Sequence, residues 1–130
     1  KGLKILAMKM IKLQPYVLKE HYAHHKDKKF FEGLISYMSS IPSVAVVVYG
    51  KDVVNVVRKM IGSTQGRDAE PGTMRGDYSI SNQNNVVHAS ESEEMAAEEI
   101  KRFFSEEEIY DYKKMNFDWI YSKDEQYLKK

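Results

Sequence analysis

Residues 71–92, PGTMRGDYSISNQNNVVHASES, gather in one stretch a Pro71-Gly72 turn, a cation at Arg75, a polar Gly/Ser/Asn loop, an apolar pair at Val86 and Val87, and a lone histidine, His88. Two β-branched residues after a polar loop read as a short strand from Val86 to Ala89. A histidine where a strand ends can offer one imidazole nitrogen to a ligand while the fold holds the other by a hydrogen bond. Eleven positions on, Glu99 falls on a predicted helix and is placed to supply that bond. Spacing alone leaves His88 open between an ordinary structural histidine and a nucleophile beside an anion site.

Downstream, Ser92-Glu93-Glu94 opens a helix with an N-cap serine and acidic first-turn residues suited to its dipole, and Met95, Ala96, Glu99, Ile100 and Phe103 define one face. The tail from Ser105 carries short apolar anchors, Ile109, Tyr110, Phe117, Trp119, Ile120 and Tyr121, before a charged end expected to fray. Upstream, Ser63 to Asn84 is polar with little periodicity, a loop long enough to serve function or assembly. Before it, Asp52 is placed to cap a helix to Ile61, with Val53, Val54, Val57 and Met60 inward and Gly62 as terminator. Ser43 to Tyr49, SVAVVVY, is nearly all apolar and β-branched, the pattern of a central strand buried on both faces. Phe30 to Ser40 reads as a helix with Phe31, Leu34, Ile35 and Met38 on one side. Pro15 opens another, continued to His25 with Val17, Leu18 and Tyr22 at helical spacing. Leu3 to Leu13 suits a half-exposed strand. Strands alternating with helices in one short chain indicate an α+β sandwich with helices packed on a sheet.

The 130 residues make a single domain, with 20 basic and 19 acidic side chains and a net charge of +1. That balance gives no argument for nucleic acid or an anionic membrane as partner, so any anion site is local. Cysteine is absent, which excludes disulfides and thiolate zinc sites. No apolar run is long enough to span a bilayer, and the expectation is a soluble, cytoplasmic protein. His21 and His25 have the i,i+4 spacing of metal ligands, but no Glu follows His21 as in an HExxH motif, and histidines clustered on a polar helix are more often solvated; no metal site is assigned. Arg75-Gly76-Asp77 spells a cell-adhesion tripeptide, read as coincidence.

The run Asn85-Val86-Val87-His88-Ala89-Ser90-Glu91-Ser92 resembles the active-site signature of nucleoside diphosphate kinases, which reads Asn, two β-branched aliphatics, His, Gly or Ala, then Ser-Asp-Ser. His21-Tyr22 followed by Phe30-Phe31, the helix end Arg58-Lys59-Met60-Ile61-Gly62, and Pro71 to Asp77 agree in order and spacing, and the resemblance runs from about Lys1 to Tyr121. It implies a ferredoxin-like antiparallel sheet of four strands. It also implies transfer of the terminal phosphate of a nucleoside triphosphate, such as ATP, to a nucleoside diphosphate by a ping-pong mechanism through a phosphohistidine, with Mg2+ bound through the nucleotide phosphates. In that scheme His88 carries the phosphoryl group, Glu99 and Ser90 orient its ring and Tyr22 borders it. Arg58, Thr64 and Arg75 correspond to phosphate contacts, Asn85 to a sugar contact, and Phe30 with Leu34 to a clamp on the base. The implied assembly is a homo-oligomer, a hexamer or tetramer built from dimers, with no membrane and no specific nucleic acid as partner.

Beyond Glu91 in place of the signature's Asp, three departures stand against the family pattern. Lys28 takes a nucleotide-binding position that is commonly arginine, exchanging a bidentate fork for a point charge. Gln65-Gly66-Arg67 replaces the usual Asn-Pro in the long loop, so assembly is expected to differ. Family members also begin with a strand, a phosphate-contacting lysine and a helix, roughly thirty residues ahead of the point matching Lys1, so residues 1–130 are read as one N-terminally incomplete domain with residues 105–130 as its tail. The rival reading is a catalytically impaired member acting as a nucleotide-binding or interaction module. Without the resemblance, Phe30 and Leu34 read as core, and Arg58 as a cation offsetting its helix dipole.

Overall fold

The computed structural model describes residues 1–128; Lys129 and Lys130, part of the charged end expected to fray, lie outside the described residues. Strand β1 spans Lys4–Ile11 and β2 spans Ser43–Tyr49, with helices α1 (Pro15–His21), α2 (Phe31–Ser40), α3 (Val53–Ile61), α4 (Met74–Tyr78), α5 (Glu93–Phe103) and α6 (Phe117–Ile120). The architecture is α+β, as the sequence indicates. β1 and β2 pair antiparallel, Lys4 opposite Tyr49 and Ile11 opposite Ser43, with an irregularity between Ile5 and Ala7.

Period-2 alternation puts successive side chains on opposite faces of this ribbon, and the two faces differ sharply. On one, Ala7 and Val47 are buried with Phe104, which follows α5, and Ile100, Phe103 and Ile109 pack around them. On the other, Met8, Met10, Val44 and Val46 stay exposed. The expectation that β2 is buried on both faces is therefore corrected: β-branched residues favour a strand whether or not anything covers them, and among the described residues one face is open. The ladder described has two strands, where the resemblance implies four. Val86 to Ala89, read as a strand, is irregular, because Val86 sits at φ 62°, in the left-handed region, and no ladder forms there.

A second core lies between α1 and α2, where Leu13, Leu18, Tyr22, Phe31 and Ile35 are buried and Leu34, Met38 and Phe103 pack against them. Pro15 occupies the first turn of α1, where its missing N–H costs nothing. That helix stops at His21, short of the expected His25, and a 3-10 turn covers Ala23–His25. Around α3, Asp52 is at the N-cap position but makes no cap bond; its carboxylate accepts from the Asn55 side chain instead, 2.7 Å away. Met60 is exposed, contrary to expectation, and Ile61 is the residue that turns into the core. Gly62 at φ 84° ends the helix as predicted.

Within the long loop, α4 forms because the Thr73 hydroxyl accepts from the Gly76 N–H and donates to the Glu70 carbonyl. The tail returns along β1, with the Tyr110 N–H donating to the Leu6 carbonyl and Lys9 paired to Glu108 at 2.6 Å. Trp119 is 91% exposed, a correction to its reading as an apolar anchor.

Leu18, 1% exposed at the centre of the α1–α2 core, sets how firmly α1 is seated. Leu18→Ala should cost about 2–5 kcal/mol in denaturant unfolding; a loss below about 1 kcal/mol would show that α1 is not held by this core.

Candidate functional site

The site is assembled from the end of α1, the middle of α5 and the irregular segment around His88. The Ser92 hydroxyl accepts from the Met95 N–H and fixes the start of α5, and two turns on Glu99 arrives on the buried side of that helix. His88 Nε2 lies 3.3 Å from Glu99 Oε1, and the Ser90 hydroxyl donates to Glu99 Oε2 at 2.5 Å. Burial alone would raise the Glu99 pKa. The hydrogen bonds from His88 and Ser90, followed by the charges of His88 and His21, outweigh it and bring the carboxyl below its usual value. An ionised carboxylate only accepts, so His88 Nε2 carries the proton and its Nδ1 keeps the lone pair. With the His88 side chain about one-third exposed, that free nitrogen is chemically able to act as a nucleophile.

Tyr22 is 7% exposed, with its ring edge-on to His88 at 5.8 Å between centroids. Burial, then the Glu99 charge, pushes its phenol up to about 12, so it stays a neutral donor. These four residues are the ones assigned from sequence, and the structure brings them together.

Arg75 holds the segment that carries His88. It is buried, and its guanidinium donates from Nε to the Asn85 carbonyl (3.3 Å), from Nη1 to Gly62 (3.0 Å) and from Nη2 to Val87 (2.7 Å). Arg58, at the end of α3, donates from Nη1 to the Ala89 carbonyl at 3.4 Å. The carbonyls on both sides of His88 are thus tied to arginines. Burial, then repulsion from Arg58, lowers the Arg75 pKa, and these two cations line a groove of about 400 Å³ with Thr64, Gly62, Asn55 and Lys59. Asp68 and Glu70 also line the groove, so its three cations, Arg58, Lys59 and Arg75, face two carboxylates, and the positive charge is concentrated at the guanidinium pair. With Arg75 buried, the Arg75-Gly76-Asp77 tripeptide is not displayed, and Asp77 accepts from the Gly72 N–H.

Asn85 donates both amide hydrogens within the loop, to Thr64 and Asn82 carbonyls, which leaves its side-chain oxygen as the available acceptor. Phe30 is 44% exposed at the N-cap of α2, its carbonyl bonded by Gln83 and its ring edge-on to His25 at 5.4 Å. The neighbouring Phe31 takes the core position, so Phe30 is a surface platform. Leu34, one turn on, packs partly into the core, and Lys28 is exposed.

Sequence reasoning missed His21. The residue is 9% exposed, against the expectation of a solvated histidine, with its ring 5.0 Å from that of His88 and Nε2 3.9 Å from Glu99 Oε1. The signal was present: Leu18, His21 and Tyr22 are i, i+3, i+4 on one helical face. His21, His88 and Glu99 offer ligand atoms within 4.8 Å of one another. A metal there meets a specific obstacle, because Arg102 Nη1 donates to His21 Nδ1 at 3.2 Å, which puts the ring proton on Nε2, the nitrogen a metal would need.

The family model for nucleoside diphosphate kinase matches residues 1–109. A nucleoside diphosphate kinase of Parabacteroides distasonis is 49% identical over 125 residues, 96% of this chain and 82% of its own length, and one of Archaeoglobus fulgidus is 48% identical over 121 residues, 93% and 80% of the two chains. Among solved structures, a halophilic nucleoside diphosphate kinase of Halobacterium salinarum in complex with CDP superposes with a TM-score of 0.89 at 39% identity, covering 92% of this chain and 80% of that one. An apo enzyme of Encephalitozoon cuniculi gives 0.87 at 36% identity, covering 92% and 81%. The fold these neighbours share with the chain is the ferredoxin-like one expected. None of the described helices is long and apolar enough to cross a membrane.

Replacing Arg75 by Met leaves three carbonyls without their charged donor. Arg75→Met should cost about 2–4 kcal/mol in chemical unfolding and speed amide hydrogen exchange at residues 86–89 before the core opens. Unchanged exchange there would show that Arg75 does not hold the segment.

Proposed function

The chain belongs to the nucleoside diphosphate kinase family, and we infer that its reaction, transfer of the terminal phosphate of a nucleoside triphosphate to a nucleoside diphosphate, runs through His88. The observation that carries this reading is the pairing of His88 Nε2 with an ionised Glu99, itself held by Ser90, which leaves Nδ1 as a free lone pair. In the first half-reaction Nδ1 attacks the γ-phosphorus, an N–P bond forms, and the bond to the bridging oxygen breaks to release the diphosphate. The ring becomes cationic as it is phosphorylated, and the Glu99 carboxylate stabilises that charge through the Nε2–H. In the second, an oxygen of the incoming diphosphate attacks the same phosphorus and the N–P bond breaks.

Phosphoryl transfer draws most of its acceleration from positioning and from positive charge around the spreading transition state. Arg58 and the N–H groups of Arg75 not committed to carbonyls supply that charge beside Thr64, with Lys28 as a further cation. Magnesium arrives on the nucleotide phosphates as part of the substrate. The Asn85 side-chain oxygen accepts from the sugar hydroxyl. Phe30 stacks on the base, with Leu34 behind it, and because stacking ignores base edges the site takes many nucleotides. The same reading carries a homo-oligomer built from dimers and a cytoplasmic location. The intact His88, Glu99 and Ser90 set speaks against an impaired module that only binds.

Incubation with γ-labelled ATP should leave an acid-labile, base-stable phosphate on the protein, and His88→Ala should abolish it; undiminished labelling of that variant removes His88 from the mechanism.

Glu99→Ala should lower turnover on the order of 100-fold by freeing the ring, with ADP affinity nearly intact. A large affinity loss at normal turnover would make Glu99 a binding residue instead.

A further inference from the structure

Glu99 has neighbours on both sides, and the reaction described above uses only one. Beyond His88 and Ser90, the same Oε1 lies 3.9 Å from Nε2 of His21, a buried side chain that the phosphoryl-transfer scheme leaves without a task. The His21 ring is walled edge-on by Tyr22 at 4.4 Å, His88 at 5.0 Å and Phe103 at 5.4 Å. Its Nδ1 meets Arg102 Nη1 at 3.2 Å, and Arg102 is anchored in turn by its Nε to Glu20 at 3.4 Å. Arg102 only donates, so His21 Nδ1 must be the acceptor and, in the neutral ring, the proton must sit on Nε2, beside Glu99.

We propose that His21 is a positioning residue for the transfer: Arg102 fixes its tautomer, its Nε2–H faces Glu99 Oε1 as a dipole across 3.9 Å, and its ring edge limits rotation of His88 so that Nδ1 stays turned outward. This rests on the assignment of His88 as the phosphorylated group. A neutral donor suits the place. A cationic His21 would compete with His88 for Glu99 and weaken the charge stabilisation on which phosphorylation depends. The groups facing the ring agree with neutrality: burial, then His88, lower its pKa, Glu99 raises it, and Arg102 and His24 lower it further, to about 4 in all. Tyr22, the remaining titratable neighbour, is a neutral phenol.

Three variants of the full chain test this. His21→Gln can accept from Arg102 with its amide oxygen and donate to Glu99 with its amide nitrogen, whereas His21→Phe keeps the ring edge but has no N–H, and Arg102→Leu releases the tautomer. The rate of His88 phosphorylation by ATP should fall about 10- to 100-fold in His21→Phe, with ADP affinity within about twofold, and His21→Gln should recover most of it. Ring-nitrogen NMR of the unsubstituted protein should find His21 as the neutral Nε2–H tautomer at pH 7 and keep it neutral until about pH 4. In Arg102→Leu the signals should move toward a tautomer mixture, and protonation should begin at higher pH.

A His21→Phe protein that phosphorylates at the normal rate, or an Nδ1–H tautomer in the unsubstituted protein, overturns the proposal. Equal losses in His21→Gln and His21→Phe, with melting temperatures lowered alike, would make His21 a packing residue and also overturn it. Failure of the underlying reading looks different: no phosphate on His88 in the unsubstituted protein, whatever the tautomer of His21.

Discussion

A single guanidinium does the work that a strand ladder would otherwise do. Backbone carbonyls withdrawn from water need partners, and the segment before His88 has no neighbouring strand among the described residues to supply them. Arg75 takes three such groups at once, joining the end of α3 at Gly62 to both sides of Val86 through the Asn85 and Val87 carbonyls. Val86 itself has φ 62°, which costs a β-branched residue on the order of 1–3 kcal/mol and persists only when its surroundings fix it. Three charge-assisted hydrogen bonds, at roughly 1.5–3 kcal/mol each, are enough to fix it. The close approach continues on α4, where any Cβ at Gly76 would collide with the Glu70 carbonyl, so the turn that presents Arg75 requires glycine there.

The clamp explains why a histidine on an irregular segment can be placed as accurately as one on a helix. Val87 and Ala89 flank His88, and their carbonyls are bound by Arg75 and Arg58 respectively. The side chain is then fixed from the opposite direction, through Nε2, by a residue on α5. Backbone and ring are held by different elements, and of the two ring nitrogens of His88 the one left uncommitted is Nδ1. The burial of Glu99 matters because it works in both directions. It raises the cost of the ionised form, and it strengthens every hydrogen bond that the ionised form accepts. Since those bonds come from His88 and from Ser90, the energy that keeps Glu99 charged is the same energy that orients His88.

Sequence legibility followed how local each signal was. β2 was readable to the residue, since a β-branched run bounded by Pro42 and Gly50 has few other solutions. The Ser92 cap and the buried face of α5 with Glu99 were also readable, because caps and 3.6-residue periodicity are encoded within a few positions. What lay beyond local pattern was misread. A β-branched run looks the same whether one face or two are covered, so β2 was assigned too much burial. Val86 and Val87 carry the composition of a strand, but a strand needs a partner, and a short apolar pair cannot report one. Arg75 was legible as a cation and not as a clamp, because its three acceptors come from residues 62, 85 and 87 and meet only in the fold. His21 was hidden by His24 and His25 beside it, and His21 alone of the three stays on the helical face of Leu18 because α1 stops there.

That last case bears on how the site is framed. Ser92, Glu99 and Arg102 lie at relative positions 0, 7 and 10 along α5, close to two and three turns, so one helix face delivers the cap, the carboxylate and the cation that meets His21. Phe103, next along, rests its ring edge on His21 while packing against both core clusters. The orientation of α5 is therefore set by apolar burial on the same residues that adjoin the polar network. A shift of this helix would move Glu99 relative to His88 and Arg102 relative to His21 together. The polar contacts are few and two of them are long, 3.3 Å at His88 and 3.9 Å at His21, so they cannot set the position of a helix by themselves. Packing places the groups, and the hydrogen bonds then choose tautomer and charge.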